Sequence, residues 1–451
     1  MNKKSLCSPV IISITGTKGK TTVARLLEAA YLKINKETLL VDTHGHYLNG
    51  KKLGTFEESL DLHGLGPTVC PGKFLYCLKG KKNALAILET SVGSSAMPGL
   101  GYMKHDIGIL TNVFEDHIGR RIKTKEDLAV EKGRIFRRVK NDGLLIFNAD
   151  EKSSTERVTR TKKFLKKKNI DILPVGIDFS AFNIKKHIKN GGMAITRKGD
   201  LVIAVCAKKE IPLINLTKSG WTFAGKYQPS VYNIMLAVAC VYKEQGNKLP
   251  EEAREALQSY SPDEENNARL LCYKNKNISV IIDYAHEKKS LRAIGHLASL
   301  ITKRKTIGII RFAPNRVDNQ IKDYARAVAN VFDVTIIYDK VDGSGKKMPK
   351  DKREISYRAV GEVSKMAFDE MRRFSKKKDN IHKTLKEKTA LKKARVLAES
   401  GDVIIHIFGN DSSESIKMIK EIMEVSACSC QNIEKSSIGK RSQIQQKNNK
   451  I

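Results

Sequence analysis

The chain has 451 residues and a formal net charge of +33, from 82 Lys and Arg against 49 Asp and Glu. This length predicts two or three domains with room for sizeable hydrophobic cores. No apolar stretch is long enough to span a membrane, and the N-terminus lacks the apolar core of a signal peptide. The eight cysteines show no repeated metal-binding spacing, which favours reduced thiols. We therefore expect a cytoplasmic protein without a membrane partner.

The excess of positive charge could mark a protein that binds nucleic acid. However, the lysines are spread over the whole chain. The two densest basic runs, residues 162–168 and 376–395, contain a single aromatic residue, Phe164. A solvated, lysine-rich surface explains this pattern better than a specific nucleic-acid interface. An acidic or phosphorylated substrate is a second explanation, and it is compatible with the first.

The first predicted elements are a strand, a glycine-rich turn and a helix. The apolar run at 10–14 predicts a buried strand, residues 16–19 a turn, and residues 20–27 an amphipathic helix. A phosphate-binding loop requires this order of elements. The expected phosphate-binding residues are Gly16, Thr17, Lys18, Gly19, Lys20, Thr21 and Thr22.

The spacing Gly16-x-x-Gly19-Lys20-Thr21 is two residues shorter than that of the common phosphate-binding loop. Glycines let backbone N–H groups approach phosphate oxygens, and a helix N-terminus favours an anion. Lys20 would reach the β- and γ-phosphates of a nucleotide, and the Thr21 hydroxyl would bind Mg²⁺. The alternative is an ordinary glycine-rich turn, but Gly-Lys-Thr at the start of a helix favours nucleotide binding.

Strands then alternate with helices. Strands are predicted at 37–42, 84–88, 106–113 and 143–147, and a helix at 125–139. This alternation predicts an α/β fold, in which a P-loop central domain has a mostly parallel, doubly wound sheet. Ligands bind such sheets at the carboxyl ends of the strands, where Thr15, Glu89 and residues 112–117 lie.

The rest of the chain predicts a second α/β unit. Residues 151–222 are expected as an excursion at the sheet edge, and a polar break at 262–267 predicts a hinge. Helices are predicted at 230–244, 251–258, 289–300 and 320–330, and strands at 278–282, 306–310, 334–338 and 402–408. Residues 361–398 are expected to form a long basic helical region. We expect a central ATP-binding domain at residues 1–264, a smaller Rossmann-like α/β C-terminal domain at 265–426, and a disordered polar tail at 427–451.

Three further residues are candidates for a metal site. Glu89 ends an apolar strand and is a natural carboxylate ligand for nucleotide-bound Mg²⁺. His117 lies just past another strand end, where a histidine is at least as often structural as functional. Lys132, taken alone, is an ordinary helical lysine. The assignment of these residues therefore depends on the motifs considered together.

Several segments resemble, in order and spacing, the motifs of the Mur ligase superfamily. They are Thr15-Gly-Thr-Lys-Gly-Lys-Thr-Thr22, Leu88-Glu-Thr-Ser91, Thr111-Asn-Val-Phe-Glu-Asp-His117, Glu126-Asp-Leu-Ala-Val-Glu-Lys132, residues 225–233, Arg269-Leu270 and Asp283-Tyr-Ala-His286. Residues 88–102, 313–318 and 332–339 are most similar to the C-terminal half of cyanophycin synthetase. The chain departs from that pattern at residues 92–94, where Val-Gly-Ser replaces Arg-Gly-Gly.

This resemblance implies an ATP-dependent ligase that forms an amide (peptide) bond. In such ligases a substrate carboxylate attacks the γ-phosphate of ATP and gives an acyl phosphate and ADP, after which an amine displaces phosphate. The expected partners are a small-molecule amino acid or amine and a carboxylate acceptor, with an acidic polymer as one candidate acceptor.

The resemblance also implies a role for each matched residue. Lys20 and the backbone of residues 16–22 would hold the phosphates, and Thr21 and Glu89 the first Mg²⁺. His117 would bind the second Mg²⁺ together with Lys132 in its carbamylated form. The remaining matches place Asn233 near the adenine, Arg269 at the γ-phosphate from the second domain, and Asp283 at the ribose. The implied catalytic set is Lys20, His117, Lys132 and Arg269.

Two alternatives stay open. The first is a poly-γ-glutamate synthetase-type ligase, which belongs to the same class of enzyme. The second is a nucleic-acid-associated P-loop NTPase or kinase that uses the positive charge. Residues 126–132, placed after Asp116 and His117, favour the ligase, because a kinase or helicase would not need them.

Overall fold

The computed structural model describes residues 9–54, 58, 66–81, 83–91, 100–114, 122–207, 209–262, 269–285, 287–302, 304–314, 316–340, 348–349, 357–409, 412–428 and 433. The chain divides into two compact units. Unit 1 consists of Met1–Ser219 and Gln228–Tyr260, and unit 2 of Gly220–Tyr227 and Ser261–Ile451. Residues 220–227, which the sequence pattern places in the first domain, thus belong to unit 2.

Unit 1 contains a large mixed sheet. Its strands are β1 (Val10–Thr15), β2 (Thr38–Asp42), β3 (Gly45–Leu48), β4 (Lys51–Gly54), β5 (Leu85–Glu89), β6 (His105–Leu110), β7 (Val139–Asn148), β8 (Asp171–Val175), β9 (Met193–Lys198), β10 (Leu201–Cys206) and β11 (Lys209–Asn215). The spatial order is β11-β10-β9-β8-β7-β6-β1-β5-β2-β3-β4. The run from β9 to β2 is parallel, and antiparallel strands extend each end.

The helices of unit 1 cover both faces of this sheet. They are α1 (Lys20–Lys33), α2 (Lys125–Lys132), α3 (Arg134–Arg137), α4 (Lys152–Lys167), α5 (Ile184–Lys189), α6 (Gln228–Glu244) and α7 (Glu251–Ser259). Helix α1 packs on α6 and α7, whereas α2 and α3 pack on α4. The central strand β1 is apolar along most of its length because both of its faces are covered by protein.

Unit 2 is a smaller sheet with helices on both faces. Its elements are β12 (Leu271–Lys274), β13 (Ser279–Asp283), α8 (Lys288–Ile301), β14 (Thr306–Ile310), α9 (Asp318–Val328), β15 (Val334–Ile337), β16 (Met348–Pro349), β17 (Tyr357–Arg358), α10 (Glu362–Phe374), β18 (Ile381–Lys383), α11 (Glu387–Leu397), β19 (Val403–Ile407), α12 (Ser412–Met423) and β20 (Ser426–Ala427). The main sheet has the order β18-β15-β14-β19-β13-β12-β20, of which β18 to β13 are parallel.

The two units confirm the predicted α/β class, with a mostly parallel, doubly wound sheet and a smaller Rossmann-like unit. In unit 2 successive residues of one strand enter different cores, since Ile281 packs in one cluster while Val280 and Ile282 pack in the other. This alternation is what helices on both sheet faces require.

Several predicted elements need correction. The helix expected at 125–139 divides into α2 and α3 at Gly133, and its last residue instead begins β7. The basic region 361–398 contains α10, β18 and α11 rather than one helical stretch. The excursion at 151–222 does lie at the sheet edge, where it forms β8 to β11, but it also contains α4, which was not expected.

The C-terminal part of unit 2 includes residues from the predicted tail. Ala427 pairs with Tyr273, Cys428 packs against the unit 2 core, and Ile433 is buried in that core. Apart from these residues, the predicted tail lies outside the described part of the chain. Among the described residues, no helix has the length and apolar character needed to cross a membrane.

A buried polar cluster joins α1 to β2. The Arg25 Nε donates to Asp42 Oδ2 at 2.7 Å, and Arg25 Nη1 lies 3.5 Å from Glu28 Oε2. The guanidinium carbon also lies 3.9 Å from the centre of the Tyr47 ring. Burial outweighs the nearby Arg25 charge and raises the pKa of the Glu28 carboxyl to about 7. The charged form of Glu28 is therefore disfavoured in the folded protein.

Replacement of Glu28 by glutamine should change how stability depends on pH. Because the folded-state pKa of Glu28 lies above its unfolded value, folding is favoured at low pH, and this advantage is lost as the pH rises towards 7. The unfolding free energy of Glu28→Gln minus that of wild type, measured by urea titration, should therefore rise by about 1–3 kcal/mol from about pH 5 to pH 8. Glu37→Gln, at the partly exposed ion pair with Lys81, is the control. Parallel pH profiles for wild type and Glu28→Gln would contradict this interpretation.

Candidate functional site

The loop between β1 and α1 has a backbone that requires glycine at both ends. Gly16 has φ +146° and Gly19 has φ +83°. Residues other than glycine rarely adopt these backbone conformations. A Cβ atom on Gly16 would lie 1.9 Å from Thr111 Oγ1, and one on Gly19 would lie 2.2 Å from Asn233 Oδ1. The loop therefore packs directly against the residues after β6 and against α6.

Residues after β6 hold this loop through a set of hydrogen bonds. The Lys18 N–H donates to Asn112 Oδ1 at 2.9 Å, and the Lys18 carbonyl accepts from Asn112 Nδ2 at 3.0 Å and from Thr111 Oγ1 at 2.6 Å. The Thr17 N–H donates to the Asn112 carbonyl at 2.9 Å. The Thr17 hydroxyl also accepts from the Phe114 N–H at 3.0 Å. These bonds fix the path of the loop from one side.

Helix α1 begins at Lys20 with its N-terminus open. The N-cap residue is Gly19, which has no side chain to cap this end, and the first turn has no acidic residue. The first N–H groups of a helix carry a partial positive charge and lack intrahelical partners. Lys20 adds a full charge at the same end of the helix. This arrangement suits an anion such as a phosphate group.

A buried carboxylate lies beside this helix start. Glu89, at the carboxyl end of β5, accepts from the Thr21 hydroxyl at 2.9 Å and lies 3.7 Å from Lys20 Nζ. On its other side it accepts from the Thr43 hydroxyl at 3.1 Å and from the Thr43 N–H at 3.3 Å. Carboxylate and hydroxyl oxygens are the hard ligands that Mg²⁺ prefers. The donor set around Glu89 therefore fits a magnesium ion.

Lys132 reaches the same loop from α2. Thr124 and Asp127 form a capping box that fixes the start of this helix. At its other end the buried Lys132 Nζ donates to the Gly16 carbonyl at 2.9 Å. The fold thus brings to the glycine loop a lysine that lies 116 residues further along the chain.

Asn233 and the residue before it connect α6 to this region. The Asn233 amide lies directly against Gly19 and fills the space that a side chain at this position would need. The Tyr232 hydroxyl donates to Asp150 Oδ2 at 2.6 Å, and Asp150 also accepts from two backbone N–H groups. The N-terminal part of α6 is thereby attached to the carboxyl side of β7.

In unit 2, the predicted residues Arg269 and Asp283 lie at the start of β12 and the end of β13. The Asp283 carboxylate accepts from the Leu270 N–H at 3.0 Å, and the Arg269 guanidinium lies 5.0 Å from the Tyr284 ring centre. Burial alone would raise the pKa of Tyr284, but the charges of Arg311 and Lys340 lower it to about 8. Three cationic side chains, those of Arg269, Arg311 and Lys340, thus act on Tyr284 at this end of the sheet.

The structure thus brings most of the predicted site residues together within unit 1. They are Gly16, Thr17, Lys18, Gly19, Lys20, Thr21, Thr22, Glu89, Lys132 and Asn233. Arg269 and Asp283 belong to unit 2, where Asp283 accepts from the N–H of Leu270, the residue after Arg269. His117 lies outside the described residues, and the described residues contain no cluster of three or more His, Cys, Asp or Glu side chains suited to a metal.

Two residues outside the predicted site set also contribute to the site, although the sequence already placed Asn112 at a strand end where ligands bind. Asn112 holds the glycine loop, and Thr43 holds Glu89. Both follow the carboxyl end of a strand, which is a signal the sequence contains. Their partners could not be assigned from sequence because that requires the strand order, in which β1 lies between β5 and β6.

Unit 1 therefore has the fold and loop of a P-loop α/β domain. Residues 14–241, half of the chain, match the family described as Mur ligase middle domain. The chain belongs to the Mur ligase family, and the resemblance stated from its motifs is confirmed.

Individual relatives agree with this assignment. The chain is 27% identical over 346 residues to a cyanophycin synthetase from Trichormus variabilis, a match that covers 74% of this chain and 35% of that protein. It is 24% identical over 418 residues to UDP-N-acetylmuramoyl-L-alanyl-D-glutamate--2,6-diaminopimelate ligase from Clostridium perfringens, which covers 91% of this chain and 75% of that protein. The match thus spans about a third of the length of the cyanophycin synthetase.

Solved structures show the same fold. Mycobacterium tuberculosis folylpolyglutamate synthase, crystallised with ADP and AMPPCP, matches with a TM-score of 0.65 and 14% identity. The match covers 94% of this chain and 93% of that one. At this identity the likeness establishes the fold alone.

The bonds from Asn112 should control how rigid the loop is. Asn112→Ala removes both side-chain bonds to Lys18, so the Lys18 amide should exchange its hydrogen roughly tenfold faster or more. Hydrogen exchange read by NMR or mass spectrometry measures this rate. Asn183→Ala, which removes a comparable side-chain bond at the start of α5, is the control and should leave the loop unchanged. Equal exchange in wild type and Asn112→Ala would show that the side chain does not hold the loop.

Proposed function

We propose that this chain is an ATP-dependent, ADP-forming amide ligase of the cyanophycin synthetase-like type. It would join an amino acid or amine to a carboxylate through an acyl phosphate. The observation that carries the proposal is the glycine loop leading into Lys20, with Thr21 held on the buried Glu89. Membership of the Mur ligase family and the names of the relatives support it.

The chain's own residues suggest how the phosphates would be held. The N–H groups at the start of α1 and the Lys20 ammonium would bind them and offset the charge of the transferring phosphoryl group. Thr21 and Glu89 would bind the first Mg²⁺, which when bound neutralises phosphate charge. Asn233, beside Gly19, is proposed to lie near the adenine.

The remaining roles follow from the resemblance. His117 and a carbamylated Lys132 are proposed for a second Mg²⁺. Arg269 is proposed to contact the γ-phosphate and Asp283 the ribose. In unit 2 these two residues belong to the neighbouring ends of β12 and β13, which is compatible with contacts to one ligand.

The proposed reaction has two steps. A carboxylate oxygen of the acceptor bonds to the γ-phosphorus while the bond from that phosphorus to the β–γ bridging oxygen breaks, which releases ADP. The amine nitrogen then bonds to the acyl carbon, phosphate leaves with the acyl oxygen, and a proton passes to solvent. For such a phosphoryl transfer the protein mainly has to hold the phosphates rigidly and offset their negative charge.

The substrates are proposed by class. The incoming molecule is an amino acid or amine, and the acceptor is a small carboxylate or the end of an acidic polymer, which the net charge of +33 would attract. A poly-γ-glutamate synthetase-type activity is the alternative within this class. The reduced cysteines expected from the sequence suit a cytoplasmic location.

The function is tested by measuring which compounds stimulate ADP release. Purified protein with ATP and Mg²⁺ should release ADP faster when an amino acid and an acidic peptide are supplied together, and an amide product should accumulate. Lys20→Ala should lower this rate roughly 100-fold or more, because the transferring phosphate charge loses its ammonium partner.

Lys33→Ala is the matched control for this experiment, since Lys33 is an exposed lysine at the other end of α1. It should retain wild-type turnover. Stimulation by nucleic acid but by no amino acid would favour the rival P-loop NTPase. Unchanged turnover in Lys20→Ala would show that the loop is not the active site.

Carbamylation of Lys132 can be tested without measuring activity. The neutral amine would attack CO₂, forming an N–C bond and releasing one proton, and the carbamate nitrogen would keep one hydrogen for the Gly16 carbonyl. The new oxygens would be anionic, as Mg²⁺ ligands should be. Protein equilibrated with ¹³C-bicarbonate and Mg²⁺ should therefore show a carbamate carbon signal by NMR.

Two variants of lysines on α2 test whether the carbamate signal comes from Lys132. Lys132→Gln should abolish it, whereas Lys125→Gln on the same helix should retain it, because Lys125 pairs with Glu151. A signal that survives Lys132→Gln, or wild-type protein with none, would exclude a carbamate at this position.

A further inference from the structure

Two cysteines lie opposite each other where β20 pairs with β12. The antiparallel register pairs Lys274 with Ser426 and Tyr273 with Ala427. The next step of the same register places Cys272 opposite Cys428, and the Cys428 N–H donates to the Cys272 carbonyl at 2.9 Å. Directly opposed residues of this hydrogen-bonded kind have Cα atoms about 5.5 Å apart. That separation lies within the range that disulfides span.

The two side chains also share a face of the sheet. Cys272 is buried in the same core cluster against which the partly buried Cys428 packs. The neighbouring residues Leu271 and Tyr273 belong to the cluster on the opposite face. Opposed residues of an antiparallel pair point to the same side, so the packing agrees with the register. Both cysteines are present as thiols.

We propose that Cys272 and Cys428 form a reversible disulfide that fastens the C-terminal segment to the sheet of unit 2. The oxidant is a low-molecular-weight disulfide such as glutathione disulfide. The more accessible Cys428 thiolate attacks it and displaces one glutathione thiolate. The Cys272 thiolate then attacks the Cys428 sulfur and displaces the second, so that two protein thiols become one disulfide and glutathione disulfide becomes two glutathiones.

The position of this bond gives it a structural effect. Strand β20 has two residues and lies at the edge of the sheet, so few backbone bonds hold it. A covalent link at Cys428 would keep this strand paired, and reduction would let it open. The link would attach to β12, whose first residue follows Arg269 and Leu270. The disulfide does not depend on the proposed ligase activity.

Mass spectrometry of the full chain tests the pairing. Protein is incubated with glutathione disulfide, alkylated and digested with trypsin. A disulfide should join the peptide 270–274 to the peptide 421–435. Because the second peptide also contains Cys430, the linkage should persist in Cys430→Ser and disappear in Cys428→Ser. Cys272 is left intact because it is buried. A linkage that survives Cys428→Ser, glutathione adducts without the internal bond, or no oxidation at all would overturn the proposal.

Hydrogen exchange tests whether the disulfide keeps β20 paired with β12. In oxidised wild type and oxidised Cys430→Ser, the amides of residues 426–428 should exchange roughly tenfold more slowly or more than in the reduced proteins, and a reductant should reverse the change. Cys428→Ser should show no response to oxidant. Equal exchange in oxidised and reduced wild type would overturn the claim that the bond fastens this strand.

Discussion

The close packing of the loop at residues 16–19 is the constraint on which the site in unit 1 depends. Neither glycine of the loop has room for a Cβ atom, because Thr111 lies against one and Asn233 against the other. Two different parts of the fold, the end of β6 and the start of α6, therefore set the position of one short turn. The same contacts direct the N–H groups at the start of α1 towards the place where the proposed phosphates would bind.

The charged side chains beside this turn are also held in place by contacts within the protein. Glu89 is buried, yet it lies close to Lys20 and receives hydrogen bonds from Thr21 and Thr43, so its charge has partners of its own within the protein. Burial of a carboxylate without such partners would be costly. The buried Lys132 amine is likewise held, by donation to the carbonyl of Gly16. Metal and phosphate binding would therefore exchange existing polar contacts for new ones, with little rearrangement of the fold.

The parts of this structure that sequence reasoning predicts well are local. The strand before the glycine loop and the strand that ends in Glu89 are apolar runs, and the turn and helix start at Lys20 carry a motif. The family resemblance implied that Lys132 is a site residue at the second metal, and that role stays a prediction, while the structure places its Nζ on the Gly16 carbonyl. The α/β class followed from the alternation of strands and helices, and the family resemblance from the motifs taken together.

The parts that could not be predicted depend on tertiary structure. Helix α4 is rich in lysine and has few apolar residues, such as Val158 and Leu165, so its low overall hydrophobicity hides it within a basic stretch. The roles of Asn112 and Thr43 depend on which strands are neighbours of β1 and β5. The pairing of β20 with β12 joins segments that are far apart in sequence, and a tail rich in polar residues gives little sign of it. His117 lies outside the described residues, so its role stays a prediction.

The most direct measurement of the proposed active site is a calorimetric titration with a non-hydrolysable ATP analogue, in the presence of Mg²⁺ and then of EDTA. Wild-type protein should bind the analogue more tightly with Mg²⁺, and Glu89→Gln should weaken the Mg²⁺-dependent binding roughly tenfold or more, because a metal ligand loses its charge. Glu126→Gln, at an exposed residue of α2, should behave as wild type. Equal Mg²⁺-dependent affinity in wild type and Glu89→Gln would contradict the assignment of this site.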